Sequence, residues 1–272
     1  MTVFIIRRLL QSALVVAIMT LLVFFGVMVI GNPADILISE RCTGQCYRDA
    51  VAHLGLDRPV WEQYVLFIGN ALQGELGNSF AFGIPALELI VRRLPATLEL
   101  AFVATCVAVL LGIPLGLWAG LKPKAVSSQT IMSGSIIAFS MPSFWVGIML
   151  IVVFAVELGW LPASGRGPTV EVLGLHVSIL TLDGLRYVAL PATNLALGQL
   201  ALVIRLARAG TREVLYMDYI KFANAKGIER PRIVFVHVLK NIMIPIVTVL
   251  GLNLGGVIAF AVVTETVFAW PG

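Results

Sequence analysis

The sequence predicts an all-α integral membrane protein with five transmembrane helices, on three observations. Hydrophobic residues make up 59% of the 272 and charged residues only 12%, about half the ~25% of a soluble domain. The apolar residues fall in five separate runs, each long enough to cross a hydrocarbon core of about 30 Å. The basic residues gather in alternate connections between those runs, as cytoplasmic loops do.

The first run, residues 9–30, is too long for the apolar core of a signal peptide and no small-residue cleavage site follows it, so it is retained as a span. The second, 98–121, is interrupted by Gly112, Pro114 and Gly116, a pattern that favours close helix packing over gate motion. The third, 131–156, contains Pro142. The fourth, 187–204, is short and carries Asn194 and Gln199, and the fifth, 241–263, carries Asn253. Polar side chains this deep are costly. Asn194, Gln199 and Asn253 therefore either bond between helices or line a translocation path, and the sequence leaves both open. Glu99, Glu157 and Glu265 stand at span ends and read as interfacial carboxylates reaching water. Cys106, inside the second run, reads as packing.

Orientation follows from Arg7 and Arg8 before the first span, Lys122 and Lys124 between the second and third, and eight Lys/Arg against three acids in residues 205–240. These all fall on one side when the N-terminus is cytoplasmic. Residues 31–97 and 157–186 are then extracytoplasmic. The first of these loops holds Arg41, Arg48, Arg58, Arg92 and Arg93, but its acids balance them and its length exceeds the ~60 residues over which the rule operates. Within it, Trp61, Tyr64, Val65 and Ile68 recur on one face of an amphipathic helix that lies in the headgroup layer or on another subunit.

The cytoplasmic connection 205–240 contains a short, well-marked helix. Asp218 reads as its N-cap and Gly227 as its stop; residues 219–226 make about two turns, roughly 12 Å. Tyr219, Phe222 and Ala223 fall at i, i+3 and i+4 and make one small, greasy face, while Lys221 and Asn224 point elsewhere. A helix so short is unstable alone in water. It lies against something, and the cytoplasmic side offers it to a partner.

Catalysis has no candidates. There is no GxxxxGK(S/T) loop to cradle nucleotide phosphates, and the three histidines are scattered: His53 and His176 as loop residues, His237 on a helix face at the membrane edge. Cys42 and Cys46 are spaced C-x3-C with no second pair to complete a metal site; in an oxidising compartment they are a local disulfide or two free thiols.

Asp218, Tyr219, Ile220, Ala223, Ala225, Lys226 and Gly227, then Arg230 and Arg232, then His237, Leu239, Lys240, Asn241 and Pro245 resemble the cytoplasmic loop of permease subunits of ATP-binding-cassette importers, in the dipeptide/oligopeptide/nickel branch. GNPAD at 31–35, LGLDRPVWEQY at 54–64, GELGNSF at 74–80, RRLPATLEL at 92–100, MPSFW at 141–145 and LGWLPASG at 158–165 extend the resemblance over nearly the whole chain. It departs from the wider importer pattern at Lys221 and Phe222, where Glu-Ala-Ala is usual, and it stops at ETVFAWPG, one helix short of the branch's six, so the chain reads as truncated at its C-terminus.

The resemblance implies a type I importer transmembrane domain that moves short peptides, nickel complexes or related solutes across the bacterial inner membrane. It implies a second related permease, two cytoplasmic ATPase subunits that bind the ATP, and an extracytoplasmic solute-binding protein; no cofactor in this chain, and no nucleic acid. It implies that Asp218, Tyr219, Phe222, Ala223, Ala225, Lys226 and Gly227 form the ATPase-coupling helix. The rival is a self-contained secondary transporter or channel. That would need an internal repeat and charge near the midplane, and the sequence has neither.

Overall fold

The computed structural model describes residues 2–30, 44–45, 51, 57–79, 82–172 and 174–272. GNPAD, Cys42, Cys46 and His53 lie outside them. The chain forms two units, residues 1–92 and 93–272.

In the first unit, α1 (Thr2–Ile30) is a single apolar rod, begun seven residues ahead of the predicted span. Helix α2 (Val60–Leu72) follows Pro59. Tyr64 Oη lies 3.0 Å from Thr20 Oγ1, and the Phe24 ring is 5.4 Å from Tyr64 and 5.8 Å from Phe67. The face of α2 that meets α1 is thus Tyr64 with Phe67. Trp61 and Val65, placed with Tyr64 by the sequence pattern, are exposed.

The core of the second unit is built on helix α3 (Ala86–Leu121), which runs through Pro95 and starts well before the predicted span. Ala96, Leu100, Ala104, Ala108, Gly112, Gly116 and Gly120 recur every fourth residue, and all are buried. This stripe of small side chains meets α6 (Leu182–Leu215). Ala96 and Leu100 cluster with Val188 and Ala192, and Ala104 and Ala108 with Ala196. A Cβ at Gly112 would stand 2.8 Å from Val203 Cγ1, at Gly116 2.5 Å from Ala207 Cβ and at Gly120 2.6 Å from Thr211 Cβ. Only glycine admits so close an approach, as in small-residue membrane interfaces. Numbers rise together along both helices, so α3 and α6 are parallel.

Two parallel helices require a return between them. Helix α4 (Val126–Ser140) starts at the end of α3, where Ser128 Oγ donates to Ala119 O at 3.0 Å and Trp118 Nε1 to Ser127 Oγ at 3.0 Å. Helix α5 (Ser143–Leu150) continues as a π-helix over Ile151–Glu157. The following loop brings Arg166 to Glu99, roughly 33 Å back along α3 at 1.5 Å per residue. The third predicted span is therefore two helices bent by 106° rather than one. Pro142 sits in the break and not inside a helix, because its missing N–H and its ring cannot continue the α4 ladder. The fourth predicted span is not short: α6 runs to Leu215 and absorbs eleven residues assigned to the cytoplasmic loop, 205–215.

Helix α7 (Asp218–Ala225) follows. The chain then passes through Arg230–Arg232 and a π-helical Ile233–Val238 into α8 (Leu239–Val267). Asn194 Nδ2 donates to Thr264 Oγ1 at 3.0 Å, and a Cβ at Gly210 would stand 3.0 Å from Ile242 Cγ2, so α8 is antiparallel to α6. One addition to the all-α expectation is a two-stranded antiparallel ribbon, β1 (Val170–Val172) with β2 (Leu175–Val177), which places His176 in a strand.

Glu99 and Glu265 do not reach water as expected; both are buried. Glu99 accepts from Ser178 N at 2.7 Å, Ser178 Oγ at 2.9 Å, Ile179 N at 2.8 Å and Arg166 Nε at 3.1 Å. Glu265 accepts from Thr97 Oγ1 at 2.6 Å. Trp270 Nε1 donates to Ala96 O at 3.0 Å. The Glu99 carboxylate can leave water because this many donors replace its hydration. Glu157 is exposed, as expected.

Candidate functional site

Two features carry the predicted site residues, and they lie on the same helices. The first is α7. Its N-cap is Met217, with extended backbone and no side-chain cap, and Asp218 is the first helical residue. The predicted capping role of Asp218 is not made: its carboxylate accepts from Lys221 Nζ at 2.8 Å instead. That hydrogen bond, with the attraction of the ammonium, holds the Asp218 carboxyl below its ordinary value of 3.8. An acid in the first turn still suits the helix dipole.

The far end closes as the sequence predicts. Gly227 has φ +73°, Gly227 N donates to Asn224 O at 3.0 Å and Ile228 N to Ala223 O at 3.1 Å. That is a complete Schellman cap, with glycine at its left-handed position.

The faces of α7 differ from expectation. Ile220 and Ala223 point inward and are buried with Val214, Ile233, Val238 and Ile242 in one apolar cluster that also holds Leu117 and Ala207. Ala223 packs on the chain's own core and is unavailable to a partner. Tyr219 and Phe222 are the exposed pair, at 45% and 61%. Lys226 Nζ lies 4.6 Å from the Phe222 ring centre, and Ala225 is exposed beside it. A helix whose i and i+3 residues are buried, while its aromatic residues face water, is anchored on one side and open on the other.

The second feature is a cavity of about 620 Å³ between α4, α5, α6 and α8. Asn194, Gln199 and Asn253, which the sequence leaves between bridging and lining, all line it. The first two also bridge. Asn194 Nδ2 is held by Thr264, and Gln199 Oε1 accepts from Thr105 Oγ1 at 3.3 Å. Among the described residues the other half of each amide, Asn194 Oδ1 and Gln199 Nε2, is buried without a partner. Each such group costs about 1–3 kcal/mol. Asn253 is exposed and donates to Val249 O of its own helix at 2.9 Å. The sequence reading missed Arg205, which also lines the cavity and stacks 5.0 Å from the Phe139 ring. The signal was present: Arg205 stands eleven residues after Asn194, nearly three whole turns, and so on the same helix face.

Among known families, a model described as "Binding-protein-dependent transport system inner membrane component" matches residues 112–272. A model for the N-terminal part of the membrane component of such systems matches residues 1–101. The chain belongs to this permease family. It is 38% identical to the di/tripeptide transport system permease protein DppB of Pseudomonas aeruginosa, over 93% of this chain and 80% of that protein. The dipeptide permease DppB of Escherichia coli K12 gives the same identity and the same coverage. The oligopeptide permease AppB of Bacillus subtilis is 35% identical over 100% of this chain and 85% of its own length.

Membership makes the chain a multi-pass inner-membrane permease component of a binding-protein-dependent system, not an enzyme. It also sets aside the self-contained transporter or channel. The small-residue stripe and the buried Glu99 and Glu265 carboxylates stand in a permease as packing, whereas α7 and the cavity have groups left over for something else.

Proposed function

We propose that this permease carries short peptides inward, as one of a pair of related permeases served by two cytoplasmic ATPase subunits and an extracytoplasmic solute-binding protein. ATP is bound by the ATPases, and this chain holds no cofactor. The peptide class rests on the names of relatives 35–38% identical over nearly the whole chain. Five crossings with a cytoplasmic N-terminus fit the parallel course of α3 and α6, which needs one net return through α4 and α5, and fit the basic residues before α1, after α3 and around α7.

One observation carries the mechanism. The inner face of α7 is buried in the same apolar cluster as residues of α3, α6 and α8, and α6 and α8 are walls of the cavity. A push on the exposed Tyr219, Phe222, Ala225 and Lys226 surface by an ATPase is therefore delivered to the cavity walls through packed side chains. Cores do not deform continuously, so the response is a rocking between two packings. Asn194, Gln199 and Asn253 then lie on the path that the rocking opens and closes, and Gly227 fixes the exit angle of the coupling helix.

A cysteine replacing Phe222 should crosslink to the ATPase in the assembled complex, and one replacing Ile220 should not. Crosslinking from both positions, or from neither, would remove α7 as the coupling element. For orientation, a cysteine in place of Ser164 should react with an impermeant thiol reagent in intact cells, while one in place of Arg212 is shielded until lysis.

A further inference from the structure

Ile233, Val238, Ile242 and Ile246 are buried, at 3%, 0%, 1% and 0% exposure, in the cluster that seats α7. Their spacing is five, four, four. On an α-helix a step of four turns a side chain by about 40° and a step of five by about 140°, so Ile233 could not share the stripe. It does so because residues 233–238 form a π turn, in which Leu239 N donates to Val234 O, five residues back instead of four. One residue more than an α ladder needs is stored there. It is stored on the outer side, where Phe235 and Val236 are exposed. A wide turn of this kind is a rare interruption of an α-helix and occurs mostly at functional positions.

The same residues have a second packing. If the turn narrowed to α geometry, the residue four before Val238 would take the Ile233 seat, and that residue is Val234. Val234 is apolar, one methylene smaller than Ile233, and already packs against the cluster from its edge. The stripe would then read Val234, Val238, Ile242 and Ile246, at four-residue steps throughout. Everything before the turn would shift by one residue, about 1.5 Å and 100°. Only residues 226–229 separate that segment from α7. Ile220 and Ala223 of α7 pack in the same cluster as Ile233, so the coupling helix would move with it. The other π turn, Ile151–Glu157, contains no buried residue, so no seat there can be exchanged.

We infer that residues 233–238 are a one-residue ratchet between α7 and α8, with Ile233 seated in the π packing and Val234 in the α packing. The inference rests on the coupling role proposed for α7 and supplies the two-state element which that role requires. A push on α7 exchanges the seated residue, and α8, a wall of the cavity, changes its angle to α7 in a step.

The test is the reactivity of two neighbouring cysteines. In the complete importer in lipid nanodiscs, with its other cysteines replaced, the Ile233→Cys and Val234→Cys variants are alkylated with a small maleimide, first at rest and then with the ATPases trapped by ATP and vanadate. At rest Val234→Cys should react severalfold faster than Ile233→Cys, and in the trapped complex the order should reverse. The same order in both states, or a change in the same direction at both positions, overturns the ratchet. Deletion of Val236 is the second arm. It removes the stored residue, leaves Ile233 four steps from the next residue of the stripe, and takes away the exchange. The complex should assemble at near-normal yield, as it would not after a deletion inside a packed helix, while uptake falls about tenfold or more. Undiminished uptake overturns the ratchet, and so does failure to assemble, which would mean that no residue there is spare. The crosslink from Phe222→Cys to the ATPase is measured beside these. A crosslink without the reversal sinks the ratchet and leaves the coupling reading standing; absence of the crosslink sinks that reading itself.

Discussion

Helix α6 meets α3 and α8 in different ways. Toward α3 it presents alanine, valine and threonine to a stripe that ends in three glycines, with backbones close enough that a single Cβ would collide. Toward α8 it presents an amide bridge at one end and Gly210 against Ile242 at the other, with a cavity alongside. In a bilayer, helices are held by packing and by hydrogen bonds, because lipid is as apolar as leucine. The α3 contact is made chiefly by close packing, with Gln199 held to Thr105 beside it. The α8 contact leaves Asn194 Oδ1 buried and unpaired among the described residues. On the proposed mechanism the first is the frame and the second is the part that moves.

The comparison is broken most severely at the Glu99 end of the frame. Glu99→Ala would leave Arg166 and two loop amides without their acceptor, a loss of about 3–5 kcal/mol, seen as collapse of thermal stability of the purified complex. A stable, active Glu99→Ala variant would mean that the α3–α6 side is not a frame. Gly116→Leu should cost about 1–3 kcal/mol by overpacking, against Ala207 and the carbonyl of Ile204, and should lower the yield of assembled complex.

At α7 the expected stability loss is smaller and the functional loss larger. Gly227→Val meets no neighbour, so its cost is the left-handed backbone alone, on the order of 1–2 kcal/mol. Abundance should stay near normal while uptake and solute-stimulated ATP hydrolysis fall together. Unchanged coupling would detach α7 from transmission. Gly198→Ala, on the cavity side, should shift stability by less than about 0.5 kcal/mol and still slow uptake; a loss comparable to that of Gly116→Leu would erase the distinction between the two sides.

Acidity offers the mildest probe. The Asp218 carboxyl is depressed in the folded chain, so its contribution is complete above the ordinary value of 3.8 and is lost only as pH falls through the lower folded value. Coupling measured between neutral and mildly acid pH should not titrate through the Asp218–Lys221 pair.

Apolar length made the helices legible, and motif spacing made α7 and its Gly227 stop legible, because both are local properties of the chain. The inward face of α7 was not. Ile220 and Phe222 are similar in hydrophobicity, and only the position of the cluster behind α7 decides that Ile220 and Ala223 turn in while Phe222 turns out. Asp218 has the chemistry of a cap, but the helix begins one residue earlier and Lys221 takes its carboxylate. Glu99 and Glu265 look interfacial by position; their burial depends on partners 67 to 168 residues away in sequence, which no local pattern contains. The four-residue recurrence from Ala96 to Gly120 was written in the sequence in full, and helical periodicity read for apolar faces passes over it because nearly every residue around it is apolar too. The break at Pro142 was visible as a proline and its depth was not.

A ladder with evenly spaced small rungs has a consequence for assembly. Slid by one turn, about 5.4 Å, α3 would still set small residues against much of the same wall of α6, so the stripe by itself defines a track more than a stopping place. The stop is supplied at one end, where Glu99 closes on Arg166 and the Ser178 loop, and Trp270 locks to the Ala96 carbonyl. Those contacts join the two ends of residues 93–272. During insertion the helices would thus find their partners before their register, and the register would be set last, once the loop of Arg166 and Ser178 and residues 265–272 are in place to set it.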